Sequence, residues 1–286
     1  MIALSDAPSA QIACNAGIDA ILVGDSLGNT ALGFDSTIPV TMNDIAHHLS
    51  AVVRGAKSSN RPEVPVIADM PFGSYATPEI GVLNAIRLMQ LGAHAVKIEG
   101  TQSLRGEAGQ VFGVCKLAGI PVMGHLGFTP QSSLQFEGIV QGKTARGALA
   151  LLRDAHLLAG AGCFALVLEA TTTPVAREIT SQLPIATVGI GAGAACDGQV
   201  LVWHDLVGIT EKPFKMARSF ASTRDIWTNA VQNYCGEVGA ARFPTAQNGW
   251  EMSAEEHEKW AQALGDNARE SAENDAPAAP RNPVSP

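Results

Sequence analysis

Aromatic side chains make up only 5% of this 286-residue chain, too few for the stacking platforms that hold single-stranded nucleic acids. Positive charge is also in short supply. The formal net charge is -8, which argues against nucleic acid or any other polyanionic partner. Eight acidic and three basic residues fall within 251–286, leaving about -3 for residues 1–250, so the acidity belongs to the end of a nearly neutral chain. Cysteines are few and widely spaced. Positions 14, 115, 163, 196 and 235 form no pair with metal-ligand spacing and read as reduced thiols of a cytoplasmic protein.

Long apolar runs are missing too. The uncharged stretches 117–136 and 179–196 approach the length of a membrane span, but Gly, Pro, Ser, Thr and Gln interrupt both, and no transmembrane helix is expected. The first residues lack a basic region followed by an apolar one, so no export signal is expected either.

What the chain does have is aliphatic bulk and glycine: 46% hydrophobic residues against 16% charged, with 29 glycines, the composition of a folded protein with many tight turns. Eight short apolar runs recur, at Ile2–Leu4, Ala20–Val23, Val64–Ala68, Ala95–Ile98, Ile120–Met123, Ala165–Leu168, Ile185–Ile190 and Val200–Trp203. Segments of helical period lie between them, among them 42–56, 78–91 and 145–159. Thr77-Pro78 reads as a helix start, and Gly92, Gly119 and Gly160 read as helix ends. Strands too apolar to have a wet face imply a parallel sheet covered by helices. Eight repeats favour closure into a (β/α)8 barrel over an open doubly wound sheet. A further helix is expected over Lys215–Gly236. The barrel with its C-terminal helices is expected to occupy 1–250, followed by an acidic, proline-rich tail over 251–286 that is largely disordered, with four prolines in 274–286.

In a barrel the chemistry gathers at the C-terminal ends of the strands, so distant residues with that address converge. Here they are Asp25, Asp69, Lys97 with Glu99, His125, Glu169 and the loop Gly189–Gly193. Lys97 and Glu99 are two apart, and strand alternation turns both to one side. A lysine in an apolar strand needs a carboxylate or an anionic ligand, and a purely structural Lys97–Glu99 ion pair would satisfy it as well. Asp25, Asp69 and Glu99 offer hard oxygen donors without a competing Cys or His cluster, which favours Mg²⁺. Each has a plainer reading: Asp25 as a turn former between Gly24 and Gly28, Asp69 as a helix cap, His125 as a core histidine. Glu169, on another strand, suits a base acting on a metal-bound substrate. The glycine loop is compatible with a phosphate cradle, but it lacks the spacing of a dinucleotide fingerprint.

Taken together, several strings resemble the ketopantoate hydroxymethyltransferase (3-methyl-2-oxobutanoate hydroxymethyltransferase) family. They are Val23-Gly24-Asp25-Ser26-Leu27-Gly28, Asp35-Ser36-Thr37-Ile38-Pro39-Val40-Thr41, Ala68-Asp69-Met70-Pro71-Phe72, Val96-Lys97-Ile98-Glu99-Gly100, Gly124-His125-Leu126-Gly127-Phe128-Thr129-Pro130-Gln131, Leu168-Glu169 and Gly189-Ile190-Gly191-Ala192-Gly193. The similarity runs from about Ile2 to Phe220. It implies a cytoplasmic enzyme on a TIM barrel of the phosphoenolpyruvate/isocitrate lyase type. The implied reaction transfers a one-carbon unit from the co-substrate 5,10-methylenetetrahydrofolate to 3-methyl-2-oxobutanoate, giving 2-dehydropantoate for pantothenate and coenzyme A synthesis. By the same resemblance Asp25, Asp69 and Glu99 hold Mg²⁺, and Ser26 and Lys97 hold the keto acid's carboxylate. Asp25, Asp69 and His125 also line the substrate site, and Glu169 accepts the proton. A homo-oligomer is implied, with a decamer among the family's large rings. The chain departs from the family pattern at Ala3-Leu4-Ser5-Asp6 and in a short 136–143 segment. Two alternatives stand beside this reading: a related Mg²⁺-dependent carbon–carbon lyase, and a non-catalytic or specialised paralogue.

Overall fold

Period-2 alternation organises the molecule, because each strand sends one set of side chains inward and the other outward. A computed structural model describes residues 1–100 and 110–274. Its strands are β1 (Ile2–Ala3), β2 (Ile21–Val23), β3 (Val66–Asp69), β4 (Ala95–Glu99), β5 (Val122–Gly127), β6 (Ala165–Glu169), β7 (Ala186–Ile190), β8 (Gly198–Gln199) and β9 (Leu201–Val202). All pair in parallel, in the order β8-β7-β6-β5-β4-β3-β2-β1-β9. β8 and β9 are two halves of one stretch interrupted at Val200. The first half pairs with β7 and the second with β1, which brings the sheet round into the expected barrel. The last expected strand, Val200–Trp203, is thus shortened to Leu201–Val202 with β8 added ahead of it, and Trp203 begins a helix instead.

The inner face carries Ala3, Leu22, Ile67, Ala95, Met123, Ala165 and Val167. The outer face carries Ile21, Val23, Val66, Val96, Ile98, Val122, Leu166 and Leu168, packed with helix side chains such as Leu49, Leu88, Leu158 and Ile179. Those helices are α1 (Ala7–Asn15), α3 (Met42–Lys57), α4 (Pro78–Gln90), α5 (Gln110–Leu117), α6 (Ala145–Ala161) and α7 (Thr173–Gln182), with short turns α2 (Leu27–Thr30) and α8 (Trp203–Leu206). Their starts follow local chemistry. The Asp6 carboxylate accepts from the Ser9 backbone N–H at 2.9 Å, Thr41 and Asp44 form a capping box, and Thr77 caps α4 ahead of Pro78. Gly92 and Gly119 take the expected left-handed conformation. Gly160, however, lies inside α6, which runs on to end at Gly162.

The helix expected from Lys215 begins later, as α9 (Thr223–Gly239). Residues 219–223 bond back to α8 rather than to themselves: Ser219 Oγ donates to Asp205 O, and the amides of Phe220 and Thr223 donate to Leu206 O and Val207 O. The chain divides into two compact units inside α9, Met1–Ile226 and Trp227 onward, ahead of the expected boundary at 250; no residue of α9 is buried. The second unit contains the rest of α9, a 3₁₀ turn (Ala246–Asn248) and α10 (Ala254–Asn274). Much of the expected disordered tail is therefore helical. Good helix formers fill it, and Lys259 pairs with Glu255 and Glu256 one turn earlier. The proline-rich stretch 275–286 lies outside the described residues. Among the described residues no helix is long and apolar enough to cross a membrane.

Candidate active site

At the C-terminal ends of the strands the inner face changes from apolar to charged. Asp69 stands above Ile67, Lys97 and Glu99 above Ala95, His125 above Met123 and Glu169 above Val167. Register sets the contacts, since Asp69 pairs with Lys97 and Glu99 with His125 on adjacent strands. The Lys97 ammonium lies 2.8 Å from Asp69 Oδ1, 3.8 Å from Glu99 Oε1 and 3.5 Å from His125 Nδ1. His125 spans the next gap, with Nδ1 3.1 Å from Glu99 Oε1 and Nε2 3.4 Å from Glu169 Oε2. Asp25 joins from the loop after β2, where its backbone N–H donates to Asp69 Oδ2 at 2.9 Å. Together with Ser26, all of these residues line one cavity of about 630 Å³, whose apolar lining includes Phe128, Ile139, Val202 and Ile209.

Two glycines make this geometry accessible. A β-carbon on Gly24 would stand 3.1 Å from Ser26 Oγ and 3.3 Å from Asp69 Oδ2, inside the carboxylate cluster. Gly127 holds φ at +93°, and a β-carbon there would collide with the Glu169 carbonyl, which accepts the Phe128 amide at 2.9 Å. Only glycine lets β5 pass this close to the proposed base.

The electrostatics follow from crowding. Burial, then repulsion from Asp69 and Glu99, pushes the Asp25 carboxyl well above its usual range. Burial alone would lower Lys97 and raise Glu99. The carboxylates of Asp69, Glu99 and Asp25 outweigh it for the lysine, whose pKa is raised, and His125 and Lys97 outweigh it for Glu99, whose pKa is lowered. Burial and Lys97 oppose a charge on His125, but Glu99 and Glu169 on either side push it up to about 9. Three buried carboxylates thus share one lysine and one histidine. Asp69 Oδ1, although in the ion pair, accepts no well-formed hydrogen bond, and neither does His125 Nε2 make one.

Among the described residues no three His, Cys, Asp or Glu side chains form a ready-made metal cluster; Asp69 and Glu99 turn toward Lys97 instead. The donor set nonetheless fits a divalent cation. It is all hard oxygen, it crowds Asp25, Asp69 and Glu99 so closely that the Asp25 carboxyl resists ionising without a further positive charge, and Asp69 Oδ1 has lone pairs to spare.

The structure therefore brings together all seven expected residues: Asp25, Ser26, Asp69, Lys97, Glu99, His125 and Glu169. It does not add the glycine loop to them as a cradle. Gly191 and Gly193 have positive φ and pack against Met216 and Thr173, while Ala192 is buried. Two residues had no assigned role. Gln131, in the 3₁₀ turn Pro130–Gln135, donates from Nε2 to Asp25 Oδ2 at 2.8 Å and to Met70 O at 2.9 Å, and its backbone N–H donates to Glu99 Oε2 at 3.0 Å. Tyr75 donates its hydroxyl to Gln131 Oε1 at 2.5 Å. Burial, then the nearby carboxylates of Glu99 and Asp25, holds that phenol well above its ordinary range.

A parallel barrel with its charged layer at the strand tops is the architecture of a class of enzymes working at that face, and solved structures agree. The chain superposes on 2,3-dimethylmalate lyase, a PEP mutase/isocitrate lyase superfamily member, with TM-score 0.54 and 19% identity, covering 96% of this chain and 93% of that one. It superposes on phosphonopyruvate hydrolase, solved as a complex with oxalate and Mg²⁺, with TM-score 0.56 and 13% identity, covering 96% and 93%. These likenesses define the fold.

The chain belongs to the ketopantoate hydroxymethyltransferase family, a family of transferases whose model matches residues 1–246. A relative from Thermotoga maritima named 3-methyl-2-oxobutanoate hydroxymethyltransferase is 47% identical over 251 residues, covering 87% of this chain and 90% of the relative.

Proposed function

We propose that this protein is a 3-methyl-2-oxobutanoate hydroxymethyltransferase of pantothenate synthesis, using Mg²⁺ and 5,10-methylenetetrahydrofolate. The observation that carries the reading is the arrangement of Glu169 across His125 from a buried set of hard oxygen donors, within one cavity.

In this reading Asp25, Asp69 and Glu99 hold the cation. When bound, such a cation supplies Lewis acidity toward the keto oxygen, easing loss of the neighbouring proton. Lys97 and Ser26 bind the keto acid's carboxylate, and Asp25, Asp69 and His125 help line its site. The Glu169 carboxylate takes the proton from the third carbon of the keto acid. Its side chain keeps 16% of its surface exposed, enough to meet a substrate in the cavity. The electron pair left on that carbon forms the new carbon–carbon bond to the one-carbon unit. That unit is released from both folate nitrogens, which take up the proton removed from the keto acid and one from water, and it gains a hydroxyl from the same water. His125, between Glu99 and Glu169, holds the base in register with the donors. Phe128, Ile139, Val202 and Ile209 exclude water around the reacting carbons.

A cytoplasmic location and a homo-oligomer, a decamer among them, belong to the same reading. Trp227, Val231, Tyr234 and Val238 recur at helical spacing along α9 and are all exposed, which supports contact with a second copy. The test is formation of 2-dehydropantoate from the keto acid. Strict dependence on methylenetetrahydrofolate and Mg²⁺ is expected, whereas carbon–carbon cleavage without folate would replace the reading with that of a lyase.

A further inference from the structure

Gln131 is a neutral residue that touches the carboxylate cluster from two directions. Its amide donates to Asp25 Oδ2 and its backbone N–H donates to Glu99 Oε2, so one residue fixes carboxylates arriving from the β2 loop and from β4. Its own orientation is determined. Nε2 faces Asp25 Oδ2 and the Met70 carbonyl, and because that carbonyl can only accept, flipping the amide would set oxygen against oxygen there. From the other side Tyr75 donates its hydroxyl to Oε1, which locks the same orientation. Tyr75 is itself held by packing: a β-carbon on Gly81 of α4 would lie 3.4 Å from Tyr75 Cβ. The Tyr75 hydroxyl and the Gln131 side chain are buried or partly buried, where hydrogen bonds keep their strength.

We infer that Tyr75 and Gln131 form a positioning relay that aims Asp25 and Glu99 at the divalent cation of this site. Gln131 acts on the ligands directly, and Tyr75 acts on Asp25 through Gln131 while its phenol also meets the Glu99 backbone. The relay rests on the metal-site reading given above. A neutral amide suits the task, because it orients a carboxylate without neutralising it and leaves the second Asp25 oxygen free to coordinate. A lysine or arginine in its place would compete with the cation for the same charge.

The experiment is Mn²⁺ binding to the full-length protein, read from the loss of the free-ion paramagnetic resonance signal and needing no substrate. Gln131→Met keeps the length of the side chain but removes its amide, and is expected to weaken Mn²⁺ about 10–100-fold, the usual effect of losing a partner that orients a metal ligand. Tyr75→Phe removes one hydroxyl and is expected to weaken it about 3–10-fold, less than the loss of a direct partner because the hydroxyl is one step further from the ligands. The double variant is expected to lose clearly less than the two single losses combined, since the Tyr75 contact to Asp25 passes through Gln131; two independent structural defects would add in full instead. Wild-type affinity in folded Gln131→Met overturns the relay, as do additive losses. Should Gln131→Met fail to fold, Tyr75→Phe decides, and unchanged affinity there overturns the relay. A wild-type protein that binds no Mn²⁺ overturns the relay and the metal-site reading together, whereas normal wild-type binding with unaffected variants removes the relay alone.

Discussion

Two cavities at opposite ends of the strands are similar in size and opposite in chemistry. The one at the N-terminal ends of the strands measures about 500 Å³ and is walled largely by Ala20, Pro65, Ile67, Ala95, Met123, Phe164 and Val188. The one at the C-terminal ends measures about 630 Å³ and contains every charged residue of the proposed site. The same strands build both: Ala95 faces the lower cavity two residues before Lys97 faces the upper, and Met123 stands in the same relation to His125. Volume does not distinguish them. The lower layer obeys ordinary core rules, while the upper departs from them by burying three carboxylates, a lysine and a histidine, as functional sites do.

Substitutions in the two layers should therefore separate stability from activity. The largest effect is expected from Asp69→Ala, which removes a proposed cation ligand and leaves Lys97 buried beside fewer carboxylates. Turnover falls below detection, and thermal unfolding registers a loss of about 3–5 kcal/mol, as for other broken buried pairs. Next comes Glu169→Gln, which preserves shape but not basicity. Deuterium exchange at the third carbon of the keto acid drops about 10²–10⁴-fold, with Mn²⁺ binding close to wild type. Full exchange activity in that variant would remove Glu169 as the base. In the lower layer the pattern reverses: Met123→Ala costs about 2 kcal/mol in a denaturant titration and leaves turnover per folded molecule within about twofold. The smallest effect concerns the shell outside the strands. Burial pushes the Cys163 thiol up to about 12 and the Cys115 thiol up to about 11, so both stay protonated at pH 8 and unreactive toward a thiol reagent in the native protein. Exposed Cys235 reacts first.

Much of this contrast is legible in the sequence because strand alternation is strict. Once 95–99 reads as a strand, Lys97 and Glu99 must share a face, and glycine and N-cap signals mark where the chain turns. Asp25, Asp69, His125 and Glu169 follow from the same address rule. Gln131 and Tyr75 do not. Neither is charged, neither ends a strand, and their partners lie 106 and 56 residues away, so only tertiary approach reveals them. Residues 215–222 carry a helical pattern, yet the Ser219 hydroxyl and the Phe220 amide find partners in α8 instead. The acidic stretch of α10 has the polarity of a solvated tail, but Glu and Lys at helical spacing suit an exposed helix equally well.

The central claim is that the charged layer removes a proton from the keto acid with the help of a divalent cation. The most direct measurement is deuterium incorporation from D₂O at the third carbon of 3-methyl-2-oxobutanoate, without folate, in the presence and absence of Mg²⁺. Exchange that requires both the protein and Mg²⁺ is the predicted result. No exchange with Mg²⁺ present, or the same rate after the metal is chelated, would contradict it.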